Sequence, residues 1–442
     1  MKRTAYAVLI FAVIYFIISP ACSKKENINP TAPWKAIGGT NTPSPTITET
    51  FTISPTLTIT LTATITPTRT ITSTRTITKT ITATPTITAT PTITNTQVCV
   101  PFSASAIAAG GIHSLAIKTD GSLWATGDNE YGQFGDGNTI SANTWAQVLT
   151  GVNVLACGGA YSLIIKTDGN LWATGFNGSG ELGNGTLINV NTWTEVLTGV
   201  RAIAAGGDHS LAIKTDGSLW ATGYNGYGQL GNSTTTYLTI WTEVLTGVNE
   251  IAAGVNHSLA IKTDGSLWAT GDNEYGQLGN GNTISAITWT QVPLTGVSAI
   301  AGGNRHSLAL KTDGSLWATG YNGDGEFGNG NTISANTWTQ VPLTGVSAIA
   351  AGNDHSMALK TDGSLWVTGY NAYGQLGNGT ITNINTWTQA LTGVSVITHV
   401  FENSLALKTD GSLWVTGRND YGQLGNGAAT NEITWIEAIQ CH

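Results

Sequence analysis

The sequence predicts an all-β fold, in which residues 99–442 form a seven-bladed β-propeller of 48–49-residue, four-stranded repeats. Three observations predict it. A Leu-Trp pair recurs seven times at near-constant spacing, and a Lys-Thr-Asp-Gly turn signal stands before every one of those pairs. The composition combines 55 Gly and 15 Trp with only 10% charged residues. Few charges beside so many Gly and Trp describe tight turns around a large aromatic core, not a disordered chain.

Three segments precede the repeats. In residues 1–22, Lys2 and Arg3 stand before an unbroken apolar run from Ala5 to Ile18, followed by Ser19-Pro20-Ala21-Cys22. A short basic region, a short apolar run and small residues before a cleavage point describe a secretory signal. The run is short for a spanning helix, which needs about twenty residues. The stretch ending at Cys22 resembles the lipobox of bacterial lipoproteins, which implies acylation of Cys22. Ser19 and Pro20 depart from the usual pattern, so cleavage after Ala21 and an uncleaved anchor stay open. All three place the rest of the chain outside the cytoplasm.

Residues 23–39 form a short linker, and residues 40–98 a Thr/Pro-rich stalk. From Thr40 to Thr96 every even position is Thr, except Ser44 and Ser54. Period two is nominally a strand signal. Pro43, Pro45, Pro55, Pro67, Pro85 and Pro91 interrupt it, and each removes a ladder donor. With no Gly- or Asn-based turn to fold it back, the segment reads as an extended, solvated stalk. At about 3.1–3.3 Å per residue it reaches well over about 100 Å.

The repeats follow. The Leu-Trp tryptophan falls at Trp124, Trp172, Trp220, Trp268, Trp317, Trp366 and Trp414, and a second one at Trp145, Trp193, Trp241, Trp289, Trp338, Trp387 and Trp435. In the third copy the expected strands cover 201–205, 209–214, 218–222 and the stretch around 241–245. Asp216-Gly217 is read as a two-residue hairpin turn with positive φ at both residues. Four strands in a period of 40–50 residues are a propeller signature. The two chain ends should meet to close the ring. Cys99 and Cys441 lie at those ends, and in an exported protein they are expected to form a disulfide. Cys157 takes a slot that holds Ala in other copies, as a small buried residue.

Motifs such as Ile203-Ala-Ala-Gly-Gly-Asp-His209-Ser-Leu-Ala-Ile-Lys and Leu219-Trp-Ala-Thr-Gly-Tyr-Asn-Gly-Tyr-Gly-Gln-Leu-Gly231 resemble regulator of chromosome condensation repeats. The resemblance covers all seven units and implies the propeller fold. It implies less about function, since members include a nuclear exchange factor for a small GTPase, bacterial inhibitors of β-lactamase and uncharacterised surface proteins. Their common theme is a protein-binding face built from inter-strand loops.

Strand parity separates two ends of each blade. The hairpin end repeats Lys-Thr-Asp-Gly and reads as a solvated, turn-forming face. The opposite end varies. Before the second strand stand Ile112, Ala160, Asp208, Asn256, Arg305, Asp354 and Glu402. After the third stand Asp128, Phe176, Tyr224, Asp272, Tyr321, Tyr370 and Arg418, and three residues on Tyr131, Ser179, Tyr227, Tyr275, Asp324, Tyr373 and Tyr421. Tyr, Phe, Asp and Arg around a rigid ring suit recognition. The expected partner-binding residues are Asp128, Tyr131, Phe176, Tyr224, Tyr227, Asp272, Tyr275, Arg305, Tyr321, Asp354, Tyr370, Tyr373, Arg418 and Tyr421.

No catalytic constellation is visible. His113, His209, His257, His306 and His355 share one slot, with Tyr161 and Asn403 in it elsewhere, and such recurrence marks a structural side chain bonding a neighbouring loop. Asp128-Asn129-Glu130 and Asp272-Asn273-Glu274 lack the further acids of a calcium loop, so no metal or cofactor is expected. Residues 1–98 carry eight Lys/Arg and two Glu, net +6, while residues 99–442 carry ten against 24 Asp/Glu, net -14. An acidic globule argues against nucleic acid. The expectation is a monomeric, non-enzymatic binding scaffold, lipid-anchored to the cell envelope or secreted, with a protein partner. A carbohydrate-binding propeller and a structural envelope protein are the alternatives. Nucleotide exchange is disfavoured, because spacings of 48–49 leave no room for the exchange factor's inserted wedge.

Overall fold

Apolar and small residues in short runs, each ended by a Gly-bearing turn, give four antiparallel strands per unit. In the third unit these are Val200–Ala205, His209–Lys214, Leu219–Gly223 and Leu238–Leu245, hydrogen-bonded in chain order. All seven units repeat this order. The first strands of successive blades touch, and that of blade seven, Val394–Val400, touches that of blade one, Ala106–Ala109. The ring is a closed seven-bladed propeller. It was obtained as a computed structural model that describes residues 99–441 and, upstream, four short strands.

Those upstream strands pair locally. Phe51–Ile53 runs antiparallel to Leu57–Ile59, and Ala63–Thr66 to Thr86–Ala89. The segment was expected not to fold back at all. At these points the apolar–Thr alternation between prolines supplies a Pro-free ladder, so a Gly turn is not required. The signal region, Cys22, the linker and most of the stalk lie outside the described residues.

The core is built between blades. Leu211, Ile213, Leu219 and Leu230 of blade three pack on Val248, Ala260 and Trp289 of blade four. The second tryptophan of each blade lies on a glycine of the blade before it. A Cβ on Gly183 would sit 2.4 Å from Trp241 Nε1, and Gly183 also has φ +66°, so no other residue fits. The series ends with Trp145 of blade one on Gly425 of blade seven.

The hairpin differs from the two-residue turn expected. Gly217 N–H donates to Lys214 O and Lys214 N–H to Ser218 O, so the turn spans Lys214–Gly217. Only Gly217 has positive φ (+83°); Asp216 does not. Asp216 instead accepts from Ser218 N and Ser218 Oγ, which hold its carboxyl below the usual range. The Lys of this motif is also not freely solvated. Lys118 Nζ lies 4.0 Å from the Trp124 ring centroid, and the equivalent pairs recur in all seven blades, from 3.6 Å at Lys166–Trp172 to 5.2 Å at Lys311–Trp317. Cation–π attraction and stem packing tie each lysine to its blade.

The ends meet as expected. Cys99–Pro101 pairs antiparallel with Ile439–Cys441, placing Cys99 directly across from Cys441. Each blade is nevertheless complete within one stretch of chain, so the ends latch a seam between blades seven and one. Phe102, fully buried, stacks on Trp145 with centroids 4.7 Å apart and packs among Leu405, Leu413 and Leu424 of blade seven. Phe102 N–H donates to Ala438 O, and Ala104 N–H to Gly411 O. Cys157 is buried and free, and burial pushes its thiol up, as its Ala-like slot implied.

Candidate loop-face binding site

Two devices fix the loop face. The residue after the third strand donates its N–H to the residue before the second, as from Tyr321 to Arg305 O at 2.8 Å and from Tyr370 to Asp354 O at 2.7 Å. The next residue is a fully buried Asn that staples the long loop. In blade three Asn225 Nδ2 donates to Thr234 O (2.9 Å) and Thr236 O (3.1 Å), while Oδ1 accepts from Leu230 N–H. Variable side chains therefore project from a rigid frame, which limits the entropy lost on binding.

Beneath the face, the recurrent His is structural. His257 Nε2 lies 2.8 Å from Ser307 Oγ of the next blade, and Ser307 Oγ donates to Gln277 O. With its one hydrogen spent, the hydroxyl accepts from Nε2–H, while Nδ1 is buried without a partner, an environment that favours the neutral imidazole. Burial pushes His113 and His209 down to about 3 and His257 to about 4. The partner is a strand serine of the next blade, where a loop was expected. Tyr161 serves the same slot by donating to His209 O at 2.5 Å.

The expected partner-binding residues separate into two groups. Asp128 and Asp272 are buried and engaged within their own loops: Asp128 accepts from Ser141 Oγ and Gln133 Nε2, and Asp272 from Gln277 Nε2. The others meet across or within blades. Tyr131 makes an edge contact with Phe176 at 5.2 Å, and Tyr275 with Tyr321 at 5.2 Å. Tyr224 meets Tyr227 and Tyr370 meets Tyr373, at 6.3 and 6.4 Å. Arg305 lies over Tyr275 and Tyr321, at 5.3 and 5.1 Å. Arg418 lies over Tyr373 and Tyr421 and pairs with Asp420 at 2.8 Å and Glu402 at 3.4 Å. Tyr227 and Tyr421 are exposed; Asp354 is half-buried.

Sequence reasoning missed Glu181 and Glu326. They stand where the other five blades carry a Gln, in Gly180-Glu-Leu-Gly183 and Gly325-Glu-Phe-Gly328. Both are fully buried, and burial raises them to about 7 and about 8. One oxygen of each accepts a backbone N–H; the other has no partner. The signal was a carboxylate replacing an amide at one position of a repeated motif. Among the described residues no group of three or more His, Cys, Asp or Glu is placed to hold a metal ion.

Comparison with known proteins agrees with this architecture. The RCC1-like domain family matches residues 72–344, and the regulator of chromosome condensation (RCC1) repeat matches 346–375 and 401–423. No curated protein matches in sequence. Human WBSCR16 is similar in structure, with TM-score 0.63 and 22% identity over 76% of this chain and 93% of its own. Prp20p of Saccharomyces cerevisiae, described with binding to Gsp1p and histones, gives TM-score 0.61 and 23% identity over 68% and 81%. At these identities the likeness concerns the fold.

Proposed function

Because this chain belongs to the RCC1-like domain family, we propose that it is a non-catalytic scaffold that binds a protein partner through its loop face. One observation carries the reading: seven similar blades hold rigid loops whose projecting residues vary from blade to blade, and they vary among Tyr, Phe, Arg and Asp. The protein partners of Prp20p support the class of ligand, not its identity. In this reading the propeller is a monomer held outside the cytoplasm, by acylated Cys22 or as a secreted form, with the stalk as spacer. The near-constant 48–49-residue spacing, which leaves no room for an inserted wedge, supports a binding role over nucleotide exchange in this reading.

The test is affinity capture with the full-length protein, repeated after Tyr224, Tyr321 and Tyr370 are changed to Ala. Loss of the captured protein is expected. Equal capture after those changes and a wider mutation of the same face would place binding elsewhere. Half-buried Tyr beside carboxylates also suits sugars, and retention of glycans on an array with no protein captured would favour that reading.

A further inference from the structure

Each junction on the loop face presents three residues from equivalent positions: one from the loop of the leading blade, and two from the following blade, joined by the backbone bond described above. Between blades four and five they are Tyr275, Tyr321 and Arg305, and the guanidinium lies over both rings. Between blades five and six they are Asp324, Tyr370 and Asp354. Asp354 stands one blade on from Arg305, so an acid replaces the cation at the same place in the frame.

That junction is short of positive charge. Under it lies Glu326, fully buried, whose Oε2 accepts from Asp324 N–H at 3.1 Å and whose Oε1 has no partner. Asp354 Oδ1 is likewise buried without a partner. Burial first, and the nearby Asp324 and Asp354 charges after it, disfavour ionisation of Glu326, and burial together with Asp324 and Glu402 does the same to Asp354. Arg305 faces Asp324 and Asp354 from blade five, but among the described residues it makes no ion pair with either within 4.0 Å. Asn383 Nδ2 donates to Asp324 Oδ1 at 2.8 Å, and Glu402, whose charge also acts on Asp354, is committed to Arg418 and Asn353. A buried carboxyl oxygen with no donor is costly, and a donor arriving with positive charge satisfies it best.

Resting on the reading of the loop face as a protein-binding surface, we infer that the junction of blades five and six is a subsite for one cationic side chain, Arg or Lys, of the partner. The protein's own Arg305 shows part of that geometry one junction earlier, with its guanidinium lying against two Tyr rings. At the next junction Tyr370 supplies the ring and Asp324 and Asp354 the flanking carboxylates, while Glu326, kept protonated beneath them by burial, gives up its proton to solvent as the cation arrives. The net charge of -14 over residues 99–442 attracts a basic segment to the propeller as a whole.

The experiment titrates full-length protein with two pentapeptides, acetyl-Gly-Ser-Arg-Ser-Gly-amide and its isosteric, uncharged citrulline counterpart. Binding of the Arg peptide at least fivefold tighter is expected, with a further fivefold weakening in Asp354→Asn and in Glu326→Gln. Asp354→Arg turns the junction into a copy of its self-filled neighbour and should abolish the preference. Glu326→Gln copies the residue of five other blades, so it keeps the test decisive if Asp354→Arg does not fold. Equal binding of the two peptides, unchanged binding in these variants, or occupancy by calcium chloride in place of the peptide would overturn the subsite. If the charge preference is absent while capture still depends on Tyr224 and the wider face, only this subsite is wrong. If capture ignores the whole face, the broader reading fails with it.

Discussion

Between blades four and five, His257 on one side meets Ser307 on the other at 2.8 Å, inside a fully buried interface. Between blades seven and one, the corresponding Asn403 leaves both amide atoms buried and unpartnered, although Ser114 is in place and donates to Gln423 O as its equivalents do. The difference traces to one backbone position. The six other blades carry Gly there, and a Cβ on Gly254 would lie 2.3 Å from the His257 ring. Blade seven carries Val400 in place of that Gly in the sequence, and Asn, shorter than a ring, stands at position 403. What the seam lacks in this clamp it recovers from Phe102 and the paired chain ends. Regular junctions are thus held by a repeated polar bond, and the seam by a single aromatic plug.

The sharpest way to break the contrast is Phe102→Ala, which removes the plug. A loss of about 3–5 kcal/mol is expected in denaturant unfolding, and an unchanged midpoint would show that the seam does not rest on it. Next comes Cys441→Ser. If the facing cysteines are linked, the variant loses about 2–4 kcal/mol, and mass measurement of the oxidised parent finds neither Cys99 nor Cys441 alkylatable; two alkylated thiols there would refute the link. A smaller effect separates Glu326 from the Gln blades. Its acid is raised to about 8 in the fold against 4.5 unperturbed, so the folded state holds the proton more tightly. Its contribution is complete below about pH 4.5 and is lost as pH rises through about 8. Thermal midpoints should therefore fall from pH 6 to 9 in the parent and fall less in Glu326→Gln; parallel curves would contradict this. Asp324, Asp354, Tyr321 and Arg305 face the same group and are unchanged in that comparison. The smallest effect is a repair: Asn403→His should help only together with Val400→Gly, raising the midpoint by a degree or two on the order expected for one hydrogen bond.

Seven blades, two tryptophan rings and the meeting of the ends were legible because the repeat imposes them at a fixed period. The turn type was not, since Asp-Gly reads equally as a two-residue turn or as the end of a longer one, and Ser218 decides by engaging Asp216. The lysine stacking was hidden because residues such as Lys166 and Trp172 belong to different strands, brought together only by pairing. On the loop face the variable positions were readable, but not their pairing across junctions, which joins residues such as Tyr275 and Tyr321. Asp128 and Asp272 looked available because their loop partners, Ser141 and the Gln133 and Gln277 side chains, are set by the loop's return path. Glu181 and Glu326 were visible as letters, but their burial was not.

Phe102 has a consequence for how the chain finds its ring. Blades three and four offer each other nearly the same surface that blades four and five do, so local docking does not distinguish the correct neighbour from another copy. Repeat proteins misassemble by this route. A ring that skipped or exchanged a blade would keep most of its clamps and tryptophan contacts. Phe102, seated between Trp145 and blade seven, with Lys118 Nζ donating to Gln440 Oε1 at 2.5 Å beside it, has no duplicate among the described residues. Contacts formed only at the seam therefore favour the ring in which the two chain ends meet over the full set of blades.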